Sequence, residues 1–86
     1  MEPQETEEKK EGITLSSGKK AVVRDGIGLD SKYATRDAEG KQEDYMPNLM
    51  ARLTEIDGHP VVPEDLLNLP LKDYTAIQNE VAKTNF

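Results

Sequence analysis

The 86-residue chain contains no cysteine and no tryptophan, a single histidine, and only four other aromatic residues, Tyr33, Tyr45, Tyr74 and Phe86. Without cysteine there is no disulfide, no thiolate nucleophile and no Cys-ligated zinc, a composition that suits a reducing compartment. His59 stands among Asp57, Glu64, Asp65 and Asp73 but has no second histidine to help complete a zinc site. No G-x-S-x-G motif is present, and "GIGLDS" at 26–31 has neither the third glycine of a dinucleotide fingerprint nor the Gly-Lys-Ser/Thr of a P-loop. These gaps predict a protein that is not an enzyme and takes no metal or cofactor.

Positive charge is also short, with 11 basic against 17 acidic residues and a net charge of −6. A nucleic-acid backbone would be repelled. No apolar run is long enough to span a bilayer, and the opening "MEPQETEEKKEG" resembles neither a secretory signal nor a transit peptide. The expectation is a soluble cytoplasmic protein without a nucleic-acid or membrane partner. An apolar fraction of 35% in so short a chain leaves a thin core. Self-association, as a homo-oligomer, or association with a partner is therefore an expected source of stability.

What is present falls into an acidic arm and one small domain. Residues 1–12 hold five glutamates and two lysines and almost nothing apolar, so they read as a disordered, solvated arm. In "ITLSSGKKAVVR", two short apolar runs flank Ser16, Ser17 and Gly18, which predicts a β-hairpin. Ile13 and Leu15 share one face; on the return strand either Ala21 with Val23, or Val22 alone, joins them. Asp30 or Ser31 is the expected cap of a short helix carrying Tyr33, Ala34 and Ala38, ended near Gly40.

The clearest periodicity lies in "DYMPNLMARLTEIDG". Tyr45, Met46, Leu49, Met50, Leu53 and Ile56 recur at three- and four-residue steps, predicting an amphipathic helix with Pro47 in its first turn, Asp44 or a neighbour as cap, and Gly58 as its stop. Such a stripe is first of all a core face. Two methionines beside a tyrosine also make an adaptable contact surface, because the unbranched thioether repacks readily. Pro63-Glu64-Asp65 reads as the start of the next helix, with carboxylates at the positive end of its dipole. After Pro70, a last helix aligns Leu71, Tyr74, Ile77, Gln78 and Val81, which together with Leu66, Leu67 and Leu69 should pack on the first stripe. Phe86 is either a plug on the core or an exposed contact. The predicted fold is α+β: an N-terminal β-hairpin packed on a small bundle of three or four helices over residues 13–86. Tyr45, Met46, Leu49, Met50, Leu53, Tyr74, Ile77 and Val81 are the candidate partner-binding residues.

Several short motifs carry a family resemblance: Ile13, Thr14, Leu15, Gly18 and Lys19 in the hairpin, then Ile56-Asp57-Gly58, Glu64-Asp65-Leu66, and finally Leu69, Leu71, Asp73 and Tyr74. In this order they resemble the tail assembly chaperones of long-tailed bacteriophages, and within these the Mu-like group. The resemblance implies a non-catalytic assembly role, in which a small acidic protein binds the tape measure protein, shields its apolar helices, and is displaced by the tail tube protein. It further implies residence in the cytoplasm of the bacterial host and absence from the mature virion. A regulatory adaptor or inhibitor using the same helical face on another target is the alternative reading.

Overall fold

A computed structural model describes residues 12–86, so the expected acidic arm, Gly12 apart, lies outside the described residues. In chain order the elements are β1 (Ile13–Thr14), β2 (Lys20–Val23), α1 (Gly28–Ala38), α2 (Gln42–Leu53), β3 (Thr54–Ile56), β4 (His59–Pro60), α3 (Pro63–Leu67) and α4 (Leu71–Asn85). The strands form one antiparallel sheet in the order β1-β2-β3-β4, and with four helices the fold is α+β.

The N-terminal hairpin forms as the sequence predicts, with Ile13 opposite Ala21 and Thr14 opposite Lys20. Its loop closes through the Leu15 N–H to the Lys19 carbonyl at 2.8 Å and the Gly18 N–H to the Leu15 carbonyl at 2.9 Å. Leu15, Ala21 and Val23 are buried while Val22 is half-buried, so the register selects Ala21 with Val23 as the inward pair. A two-stranded ribbon is marginal alone. Here the fold supplies the missing support: β3 pairs with β2, placing Val22 opposite Glu55 and Val23 opposite Thr54, and α4 packs against β2.

That third strand corrects the expected extent of the long helix. α2 stops at Leu53, and Thr54–Ile56 continue as β3. Asp57 and Gly58 both have positive φ, 53° and 80°, as a two-residue type I′ turn requires. Gly58 therefore closes the β3–β4 hairpin and not a helix. The start of α2 differs as well. The helix begins at Gln42, so Pro47 is interior and Asp44 is not the cap. Proline offers no N–H to the carbonyl one turn back. One residue later, Asn48 donates its side-chain amide to the Asp44 carbonyl at 2.7 Å.

α1 likewise starts before the expected caps, with Ile27 at the cap position and Asp30 as the third helical residue. Ile27 has no side-chain acceptor, so only half of a capping box operates: the Ile27 N–H donates to the Asp30 carboxylate at 2.9 Å. The same half-box recurs at α3, where the Val62 N–H donates to Asp65 at 3.1 Å. α1 ends as predicted near Gly40, with Glu39 in the left-handed conformation.

Leu15, Ala21, Val23, Ala34, Leu49, Met50, Leu53, Leu66, Ile77 and Val81 fill the core, with Tyr45, Met46, Leu69 and Tyr74 packed at its edge. Leu67 and Leu71, expected inside, are exposed. α3 is too short to bury more than Leu66, and α4 turns Asp73, Ile77 and Val81, spaced one turn apart, toward the interior. Asp73 takes that buried place because it accepts the Ser16 N–H at 3.1 and 3.2 Å and the Ser16 hydroxyl at 3.0 Å, fastening the β1–β2 loop to α4.

Thr54 is buried, and among the described residues its hydroxyl has no hydrogen-bond partner. Valine keeps the β-branch and the volume while removing an unpaired polar atom. Thr54→Val is therefore expected to raise stability by about 1 kcal/mol, measured as a higher urea midpoint at an unchanged slope.

Candidate functional site

The connection between β2 and α1, the inner side of α2 and the last turn of α4 enclose an open cleft of about 250 Å³. Gly26, Ile27 and Gly28 form one rim, Tyr45, Leu49 and Leu53 the α2 wall, and Asn85 and Phe86 the other rim. Ile27 is 70% and Phe86 82% exposed, and Leu29, next along α1, is 44% exposed. The remaining large exposed apolar side chains, Val62, Leu67 and Leu71, belong to the region of α3 and the start of α4.

The cleft keeps its shape because the segments around it are tied together by polar contacts. A side chain at Gly26 would be crowded: a Cβ there would lie 2.8 Å from Leu53 Cδ2 and 3.3 Å from Asp30 Oδ2, so Leu53 would have to shift. Its N–H donates to Asn85 Oδ1 at 2.6 Å. Across the cleft, the hydroxyls of Ser31 and Tyr45 are 2.7 Å apart, joining α1 to α2.

Behind the Ile27 rim lies Asp30, 4% exposed and acting as acceptor for three groups. Arg24 donates from both terminal nitrogens, at 2.9 and 3.2 Å. Arg52 donates from Nε at 3.2 Å and lies within 3.1 Å through Nη2, and the Ile27 N–H completes the set. The Arg24 guanidinium, then the Ile27 amide and Arg52, hold the Asp30 carboxyl far below the ordinary carboxylate range, outweighing the opposing effect of burial. Arg52 also lies over the Tyr33 ring at 4.9 Å from its centre, and Arg36 at 4.5 Å. This cluster joins the end of β2, the start of α1 and the last turn of α2.

The eight candidate residues separate sharply. Leu49, Met50, Leu53, Ile77 and Val81 are buried and fill the core. Tyr45, Met46 and Tyr74 are half-buried at its edge. Only Tyr45, Leu49 and Leu53 meet in the cleft. The exposed apolar side chains Ile27 and Leu29 were not among the candidates, although two isolated apolar residues beside two glycines were a readable signal. The Asp30 cluster had none, because Arg52 is 22 positions away.

His59 lies exposed in β4, opposite Ile56. Among the described residues, no group of three or more His, Asp or Glu side chains is placed to hold a metal ion. The acidic residues of the recurring motifs serve the backbone instead: Asp57 accepts the Lys20 N–H at 3.0 Å, as Asp65 and Asp73 accept those of Val62 and Ser16. No described helix is long and apolar enough to cross a membrane. In comparisons with known proteins, no family model, curated protein or solved structure matches the chain.

Asp30→Asn should cost about 2–3 kcal/mol at pH 7, because two arginines lose their shared anion. A carboxyl with a depressed folded-state pKa stabilises fully above its unfolded value of about 3.9 and loses that contribution as pH falls toward the folded value. Urea unfolding from pH 7 to pH 3 should therefore show a constant gap between wild type and Asp30→Asn down to about pH 5, narrowing below about pH 4.

Proposed function

We propose that the protein is a tail assembly chaperone of the Mu-like kind, a non-catalytic factor that binds the tape measure protein and helps recruit tail tube subunits. It acts in the cytoplasm of the bacterial host and leaves before the virion is complete. Two supports differ in kind. The hairpin, IDG, EDL and L-x-L-x-D-Y motifs support the family reading. The observation that carries the binding role is the exposed apolar rim of Ile27 and Phe86 around a cleft walled by Tyr45, Leu49 and Leu53, with Leu29 also exposed two residues after Ile27. Apolar side chains left in water beside a cleft suit an amphipathic helix that buries its own apolar face against them.

The test is co-expression with the tape measure protein encoded in the same genome, with unrelated long helical proteins as controls. Selective recovery of a soluble complex is the expected result. Equal recovery with the controls would favour a general adaptor, and detection of the chain in purified virions by mass spectrometry would favour a structural subunit. Within the complex, Ile27→Ser combined with Phe86→Ser should weaken binding at least tenfold, read by titration calorimetry. The circular dichroism spectrum should stay unchanged, since both side chains are exposed and serine is a better helix cap than isoleucine.

A further inference from the structure

We propose that the last turn of α4 is a latch, with Asn85 as its catch, controlling access to the Leu49–Leu53 side of the core. The latch belongs to the protein alone, whatever its partner.

Ile77 and Val81, both fully buried, anchor α4. Beyond Val81 the helix loses its grip: Ala82 and Lys83 are exposed, Thr84 and Asn85 half-exposed, and Phe86 exposed. Among the described residues, the hydrogen bonds that leave this turn for the rest of the fold all come from the Asn85 side chain. Its Oδ1 accepts the Gly26 N–H at 2.6 Å, and its Nδ2 faces the Arg24 carbonyl at 3.4 Å and the Val81 carbonyl, within the helix, at 3.1 Å. One amide therefore joins the end of α4 to the β2–α1 connection.

The catch sits over the apolar wall. A Cβ added at Gly26 would lie 2.8 Å from Leu53 Cδ2 and 3.4 Å from Asn85 Oδ1, so the Asn85 amide and the Leu53 side chain both border Gly26. Leu49 and Leu53 are nearly inaccessible with the latch closed, although both border the cleft. Releasing Asn85 frees one helical turn without moving Ile77 or Val81. It also uncovers Leu49 and Leu53 beside Ile27 and Phe86, which line the same cleft. Helix ends held by few contacts open locally at far lower free energy than the whole domain.

Because the chain has no cysteine, an engineered thiol reports access directly. Alkylation by iodoacetamide would be followed in Leu53→Cys and, as a reference in the anchored part of α4, in Ile77→Cys, each with and without Asn85→Ala. Asn85→Ala should accelerate modification of Leu53→Cys at least tenfold and change that of Ile77→Cys less than twofold. Equal acceleration at both positions, or none at either, would overturn the latch. Should a cysteine variant fail to fold, amide hydrogen exchange of the cysteine-free chain decides. Faster exchange in Asn85→Ala confined to Gly26 and residues 81–86 supports the latch, and faster exchange spread equally to Met50 and Ile77 overturns it.

Discussion

The Asp30 carboxylate is the point on which the geometry of the cleft depends. Three elements meet there: Arg24 just after β2 and the Ile27 amide at the start of α1, both near Asp30 in sequence, and Arg52 from the last turn of α2, 22 positions away. A buried carboxylate is tolerated only with such partners, since an ionised group without them would be far costlier than anything this small core could offset. Arg24 adds a second layer, donating to the Arg52 carbonyl from its side chain and to the Leu53 carbonyl from its backbone. The position of Ile27 at the cleft rim follows, because the carboxylate that holds its backbone through Oδ2 also gathers both arginines at Oδ1.

Asp30 is the strongest instance of a device used throughout the fold. Asp57, Asp65 and Asp73 each accept a backbone N–H, from the β1–β2 hairpin at Lys20, the start of α3 and the β1–β2 loop. In a domain whose apolar area is limited, these carboxylates satisfy amides that short elements would leave unpaired at their ends. Asp73 does so across 57 positions and holds the first hairpin against the last helix. The acidity of the chain is thus partly architectural. That gives a physical reading to the aspartates of the IDG, EDL and L-x-L-x-D-Y motifs, whose spacing serves joints of the backbone and not a shared ligand.

Periodicity made the hairpin, the main body of α2 and the course of α4 legible, because each presents a run of inward side chains at the repeat its geometry requires. Boundaries were less legible where two devices compete for the same residues. The stripe of α2 extends in phase to Ile56, yet β2 offers an open edge and Asp57-Gly58 a favourable hairpin turn, so Thr54–Ile56 join the sheet. Pro47 suggested a helix start, but half-buried Tyr45 and Met46 before it also pack against the core, and the helix begins at Gln42 with Pro47 in its interior. The ion cluster at Asp30 was not legible at all, since nothing local announces that Arg24 and Arg52 converge on one carboxylate.

The candidate contact surface shows why periodicity and exposure must be read separately. A residue repeated at helical spacing is repeated because a neighbouring element covers it, and Leu49, Met50, Leu53, Ile77 and Val81 are covered. The exposed apolar side chains are instead ones that no period explains: Ile27 and Leu29 beside two glycines, and Phe86 beyond the last buried turn. The two sets touch only along the cleft, where Leu49 and Leu53 reach the wall from the core side and the exposed residues form the rim. A partner engaging the rim is therefore separated from the core by little more than the last turn of α4. For a chain with so small an interior, the proposed binding role would use part of the core as contact surface without a second apolar face standing permanently in water.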